Sequence, residues 1–312
     1  MNGGDLLPLL ACPDCRGDLR TSDDALRCPS CDASYPIRNG IPILLPLGFD
    51  AAQVHDEIDH GHGHKHAQAG YYDRAVAAEF EITRPHSTPE AYEWLLAEKF
   101  RRSVAGLPSL AGRTVVDVCC GSGMDAEMLA RAGARVIAID ISEGCAMRGQ
   151  ERARRLGLDY LVVVGDVERL PLRDRGVDIA YVHDGLHHLD APERGLAEMA
   201  RVASLGVSVN EPADALGTSL AVRLGLALAR EEAGNRVARL RPEEVARELA
   251  AAGFDAWSSR YLMYYRHEPG ALLTAASSPA VAPFYRAAVR AADAAVGRWG
   301  NKLQVTALRR AA

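Results

Sequence analysis

Four cysteines within twenty residues constrain this chain more than any other feature. Cys12, Cys15, Cys28 and Cys31 form two Cys-Pro-x-Cys turns separated by twelve residues. Each turn lets two thiolates converge on one ion, and four thiolates close a tetrahedral shell with no position left for water, so the expected metal is a structural zinc. A segment this small cannot bury enough apolar surface on its own, so the ion has to supply folding energy. The chain has seven cysteines in all. An odd number, with four in metal-type turns, points to a reducing cytoplasm rather than to an exported, disulfide-bonded protein.

After the second turn come Tyr35-Pro36-Ile37, the turn pair Asn39-Gly40, and Ile41-Pro42-Ile43-Leu44-Leu45-Pro46. Two short β-rich runs about an Asn-Gly turn predict a hairpin, which completes a zinc ribbon. These residues resemble the small zinc-binding family typified by the activator subunit of tRNA and protein methyltransferases, whose pattern is CPxC, CPxC, YPI and GIPxLL. The resemblance ends near residue 46 and implies that a methyltransferase follows.

Residues 1–50 are therefore read as a zinc-ribbon domain and 51–70 as a linker. The stretch 55–66 holds five histidines among acids and glycines; alternating glycine gives no fixed ligand geometry, so it reads as a flexible polar connection. Leu6 to Cys12 imitates the apolar core of a lipoprotein signal. It contains Pro8, however, and no Lys or Arg precedes it, so a targeting role is not expected. No apolar run reaches the length of a membrane span, and no membrane partner is expected.

Residues 71–312 carry 31 acids and 31 bases, so the net charge of -5 sits in the first seventy residues. A neutral main body does not advertise a phosphate-binding surface. From Arg113 onward, β-rich runs alternate with helical segments, the pattern of a parallel sheet with helices on both faces. Strands are predicted at 114–119, 135–140, 160–164, 177–182 and 205–210, and helices at 143–156, 192–203 and 242–251. Two last strands are predicted at 254–265 and 302–309. The segment 71–105 reads as a helical cap interrupted at Arg84-Pro85, 213–240 as a lid, and 266–300 as a helical insertion before the last strand. The fold class is α/β, a Rossmann-like sheet preceded by the small zinc domain.

The first predicted strand of that sheet runs into Asp117-Val118-Cys119-Cys120-Gly121-Ser122-Gly123. Gly121 to Ala126 satisfies the dinucleotide pattern G-x-G-x-x-A, with Asp140 nineteen residues beyond Gly121. Asp117 argues for a different ligand, because an acid at the mouth of the turn repels a pyrophosphate and welcomes a cation. S-adenosylmethionine has a sulfonium, an ammonium and no phosphate. Here the chain resembles the class I S-adenosylmethionine-dependent methyltransferases, particularly the ubiquinone and menaquinone biosynthesis group. Its D-x-G-x-G-x-G motif is met by Asp117, Cys119, Gly121 and Gly123, with Ser122 between the glycines and Cys119 in place of the first glycine.

The resemblance implies that Asp140 binds the ribose hydroxyls, Ile141 packs on adenine, and Asp166 with Val167 receives the adenine amino group. It also matches Leu186-His187-His188-Leu189 to a recurrent Leu-His-His-Leu and Asn210-Glu211-Pro212 to the Glu-Pro of small-molecule members. His183 ends the fourth strand of this sheet, where open parallel sheets face their ligands, so it is a candidate cofactor contact and a candidate acceptor-side base. His187, His188 and Glu211 are further candidates for catalysis or substrate orientation. Cys119, Cys120 and Cys145 are read as buried spacers, not nucleophiles.

The expected activity is methyl transfer from S-adenosylmethionine to a small-molecule acceptor whose atom (O, C, N or S) is undetermined. An RNA methyltransferase using the ribbon as a platform, and a non-catalytic cofactor-binding subunit, are the alternatives. The missing Asn-Pro-Pro-Tyr-type motif and the neutral charge argue against nucleic acid. A homo-oligomer is left open.

Overall fold

The computed structural model of the chain describes residues 4–49, 69–70, 73, 78–214, 240–263 and 267–311. Nearly all of the expected linker (51–68) and lid (215–239) lies outside the described residues.

Four short strands open the chain: β1 (Arg20–Ser22), β2 (Ala25–Arg27), β3 (Ser34–Arg38) and β4 (Ile41–Leu44). The hairpin at Asn39-Gly40 is present as the antiparallel β3–β4 pair, with Ile37 opposite Pro42, and both turn residues take positive φ, as a tight hairpin connection requires. The second set is β5 (Thr114–Val118), β6 (Arg135–Asp140), β7 (Leu161–Gly165), β8 (Val177–His183), β9 (Ala203–Pro212), β10 (Phe254–Tyr261) and β11 (Lys302–Arg309). Among the described residues the helices are α1 (Ala78–Thr83), α2 (Glu90–Val104), α3 (Met124–Arg131), α4 (Glu143–Leu156), α5 (Pro192–Val202), α6 (Pro242–Ala251), α7 (Ala271–Ala276) and α8 (Ala282–Val296).

Local chemistry explains the boundaries. The Ser142 hydroxyl accepts a hydrogen bond from Cys145 N and starts α4, and Gly157, at φ 63°, stops it. Pro192 and Pro242 occupy the first turns of α5 and α6, where a missing N–H costs nothing. β5 and β7 are buried at every position because helices cover both faces of a parallel sheet.

Among the described residues eleven strands join one sheet, ordered β1-β2-β3-β4-β7-β6-β5-β8-β9-β11-β10. From β7 to β9 the pairing is parallel, and β11 and β10 close the far edge antiparallel. The chain steps outward from β5 through β6 to β7, then returns to the other side at β8. The switch point therefore lies between β5 and β8, the place where open α/β sheets hold ligands beyond the strand carboxyl ends.

The ribbon is continuous with this sheet. β4 pairs parallel with β7, Ile43 beside Val164 and Leu44 beside Gly165. Leu10 also bridges to Leu172, Ala11 N donates to Pro171 O at 3.0 Å and Arg173 N to Leu9 O at 3.1 Å. Side chains of β4 enter both layers: Leu44 joins Val116, Val163 and Leu172 on one face together with the ribbon's Leu6, Leu10, Leu26 and Tyr35, while Ile41 and Ile43 join Val115, Leu129 and Tyr160 on the other. Each such leucine or isoleucine adds about 1.5–3 kcal/mol by leaving water. A third cluster seats the cap, with Tyr92, Leu95 and Leu96 of α2 against Met124, Tyr261 and Leu273.

Candidate active site

β5 delivers Asp117 to the switch point with its side chain almost wholly buried. Among the described residues its Oδ2 has no hydrogen-bond partner. Burial, with Asp125 and Asp140 nearby, pushes the Asp117 carboxyl well above the usual carboxylate range, as expected for an acid that has lost water and gained no counter-charge. A backbone hydrogen bond from Ala126 opposes the rise, but a buried carboxyl oxygen left without a partner is costly, and a ligand cation is a natural remedy.

The turn after β5 is shaped by three residues at positive φ: Cys119 at 53°, Gly121 at 52° and Gly123 at 78°. A Cβ on Gly123 would lie 2.9 Å from the Tyr160 hydroxyl and 3.3 Å from Gly149 Cα, so glycine there lets α4 approach the turn. Asp140, at the end of β6, grips the turn: its Oδ2 accepts from Gly121 N at 2.8 Å and its Oδ1 from Ser142 N at 3.0 Å. Burial raises the Asp140 pKa, and those two N–H groups oppose the rise. Ile141 is half-buried beside it. Ser122 is held by two arginines of α4, its Oγ by Arg148 Nε at 3.0 Å and its carbonyl by Arg152 Nε at 2.9 Å. Fully buried Arg152 also pairs with Glu127 at 2.8 Å and donates to Glu81 O at 2.5 Å, tying α1 and α3 to the turn.

Past β7, Asp166 accepts from Glu168 N at 2.9 Å and starts a 3-10 turn over Val167–Arg169, with Val167 buried. This turn lies between the two points where the ribbon holds the chain, at Gly165 and at Leu172.

β8 ends on His183 and Asp184. His183 Nδ1 lies 2.8 Å from Asp125 Oδ2, and Tyr181 Oη donates to Asp125 Oδ1 at 2.7 Å. Asp184, at φ 52°, is paired with buried Lys99 of α2 and with Lys302 of β11 at 2.8 Å. Burial opposes ionisation of Asp184, but Lys302 and Lys99 hold it well below the usual range.

Glu211, at the end of β9, is fully buried. Its Oε1 accepts from Gly185 N and Leu186 N, each at 2.7 Å, and its Oε2 lies 2.7 Å from His187 Nδ1. Burial raises its pKa, but His187 outweighs that and the carboxylate is held below its ordinary range. The ring of the half-buried His188 lies 4.1 Å from that of His187, tilted by 38°. Burial keeps the thiols of Cys119 and Cys120 protonated, with pKa values well above the ordinary.

In the ribbon, the sulfurs of Cys12, Cys15, Cys28 and Cys31 all lie within 4.8 Å of one another. Cys12–Cys31 are 3.7 Å apart and Cys15–Cys28 3.4 Å, close to the roughly 3.8 Å edge of a tetrahedron with about 2.3 Å zinc–sulfur bonds. Tyr35 Oη lies 3.1 Å from Cys12 Sγ and donates to Asp14 at 2.6 Å, the kind of outer contact that orients a ligating sulfur.

The methyltransferase domain family matches residues 115–206, the span from β5 into β9 that carries the glycine turn, Asp140, Asp166 and His183. Residues 5–40 match the Trm112p-like protein family. Demethylmenaquinone methyltransferase of Thermobifida fusca is 38% identical over 107 residues, 33% of this chain and 44% of that protein. Ubiquinone biosynthesis O-methyltransferase of Methylococcus capsulatus is 36% identical over 102 residues, 32% of this chain and 43% of that protein. The chain thus spans less than half the length of these relatives. In fold, magnesium protoporphyrin IX methyltransferase of Synechocystis with bound SAH superposes with a TM-score of 0.52 at 17% identity, over 79% of this chain and 100% of that one.

The segment that matches the methyltransferase domain family brings Asp117, Gly121, Gly123, Asp140, Asp125 and His183 to one end of the sheet. Glu211 and His187 sit behind that surface, engaged with each other. Three residues escaped the sequence reading. Asp125 stood inside the quoted glycine motif but looks like an ordinary first-turn helix acid; Lys99 and Lys302 are single lysines whose burial no local pattern signals.

Proposed function

We propose that the chain transfers the methyl group of S-adenosylmethionine to a small-molecule acceptor held at the carboxyl ends of β5 and β8. The observation that carries this reading is the unpartnered, buried Asp117 Oδ2 at the mouth of the glycine turn. It fits a ligand ammonium and not a pyrophosphate. Bound there, S-adenosylmethionine supplies a methyl group on a positively charged sulfur that leaves as a neutral thioether.

The residues divide the work. Asp117 meets the ammonium end, and the Gly121–Gly123 backbone admits the methionine portion closely. Asp140 holds the turn in shape and would take the ribose hydroxyls, while Ile141, Asp166 and Val167 would hold the adenine. His183 faces the acceptor. Glu211 and His187 act as positioning residues: Glu211 fixes the 185–187 turn through two backbone N–H groups and so fixes where β8 ends. Rate comes chiefly from alignment of acceptor and methyl group. The zinc in the Cys12, Cys15, Cys28 and Cys31 cluster is structural, since four thiolates leave no open position.

A small acceptor is favoured by the neutral charge of 71–312 and by the depth of the polar groups at the site. Calorimetry tests the cofactor: S-adenosylmethionine should bind, NAD should not, and Asp140→Ala should weaken binding tenfold or more. Methyl-labelled cofactor offered to total RNA and to a metabolite extract tests the acceptor. Label in small molecules with little salt dependence supports the reading; label in RNA, with affinity collapsing as salt rises, defeats it. Cofactor binding with no labelled product in either would make the chain a binding subunit.

A further inference from the structure

His183 is wired from behind. Its side chain is 5% exposed, and among the described residues the charged groups that act on it are Asp125 from α3, Asp184 just past β8 and Lys99 from α2, with Tyr181 of β8 bonded to Asp125 and Lys302 of β11 to Asp184. Asp125 is held ionised: burial opposes its charge, but His183 and the hydrogen bonds from His183 and Tyr181 outweigh it. A carboxylate can only accept. Nδ1 of His183, 2.8 Å from Asp125 Oδ2, is therefore the nitrogen that carries the proton, and Nε2 of the neutral ring holds the lone pair. Nε2 is buried and, among the described residues, has no hydrogen bond. Asp184 Oδ2 lies 3.5 Å from it, and Asp184 is paired with Lys302 and Lys99.

We propose that Asp125 is the positioning residue that makes His183 a base, and that the acceptor is a nucleophile that must surrender a proton, an O–H, S–H or acidic C–H compound, to Nε2 as the methyl group arrives. This rests on the methyl-transfer reading above. In the step, the acceptor atom forms a bond to the methyl carbon while the carbon–sulfur bond breaks with its electron pair on sulfur. The acceptor proton passes to Nε2, and the resulting imidazolium is held by Asp125. An acceptor with no proton to lose, such as a tertiary amine, would leave this arrangement idle. It would also create a new cation beside a ring already biased toward charge: burial lowers the His183 pKa, but Asp125 and Asp184 outweigh it and raise it.

Nitrogen-15 NMR of the histidine rings in the full zinc-loaded chain tests the wiring without any ligand, with His183→Gln used to assign the signal. The expected result is an Nδ1–H tautomer whose pKa falls by about one unit or more in Asp125→Asn, the scale of losing an opposite charge at contact, and stays high in Asp125→Glu. Should Asp125→Asn fail to fold, Tyr181→Phe leaves the Asp125 charge less shared and should move the His183 pKa upward. An Nε2–H tautomer, or a pKa indifferent to both variants, overturns the proposal. Labelled-cofactor products from a metabolite extract test the acceptor class. Methyl on oxygen, sulfur or carbon, reduced at least a hundredfold in His183→Gln with cofactor affinity retained, supports it; methyl on a nitrogen that bore no proton overturns it. Failure of S-adenosylmethionine to bind would overturn the methyl-transfer reading while leaving the NMR result standing.

Discussion

Cys119 and Gly185 are matched across the switch point. Cys119 takes φ 53°, and a Cβ on Gly185 would stand 2.4 Å from its Cβ. The cysteine that replaces the motif's first glycine is accommodated because the β8 turn has no side chain there.

Gly185→Ala should therefore destabilise the chain by about 1–3 kcal/mol, the usual cost of overpacking. Placing it in a Cys119→Gly background should recover part of that loss. Urea unfolding of the two single variants and the double variant measures the coupling; strictly additive effects would show that the contact does not carry the cost.

Asp117 makes a pH prediction. Its folded pKa is raised by burial, Asp125 and Asp140, so its contribution to stability is full below the ordinary carboxylate pKa and is lost as pH rises through the folded value. Asp117→Asn should gain on the wild type as pH increases from about 4, by up to about 1.4 kcal/mol per pH unit while the folded acid stays protonated. The same variant should bind S-adenosylmethionine poorly. In the wild type, binding should release a proton, because the arriving ammonium favours the ionised acid; calorimetry in buffers of different ionisation enthalpy counts it.

Arg152 is fully buried against Glu127 and the Ser122 carbonyl. Arg152→Ala should cost about 3–5 kcal/mol, because it strands a buried carboxylate. Arg152→Met in combination with Glu127→Leu should cost much less. Thermal unfolding of the three variants checks the order.

Zinc removal should be felt beyond the ribbon. The 166–171 turn is held at Gly165 by β4 and at Leu172 by Leu10, so stripping the metal should raise hydrogen exchange across 161–173 and weaken cofactor binding. The thermal midpoint should fall by about 10 °C or more, given the size of zinc's folding contribution. Unchanged exchange in β7 after complete zinc loss would contradict this.

The strands and their order along the chain were legible because buried parallel strands are unbroken apolar runs, as in Val115-Val116 or Leu161 to Val164, and because acids at their ends interrupt those runs. The four ribbon cysteines were legible by spacing alone. Pairing between β4 and β7 was not: Ile41 to Leu44 reads equally well as a free hairpin arm, and nothing local says which distant strand it joins. Asp125 and Lys99 were invisible for a related reason. Their roles depend on partners at His183 and Asp184, fifty-eight and eighty-five residues away.

The continuity of the ribbon with the sheet changes what a truncation would do. Cut away residues 1–50, and β7 becomes the naked edge of a parallel sheet, a run of Leu161-Val162-Val163-Val164 with no charge, proline or bulge to discourage another chain from pairing there. The zinc module is then an edge guard as much as a folding unit. A shortened chain should precipitate or self-associate through β7, and size-exclusion chromatography of chains with and without residues 1–50 checks it.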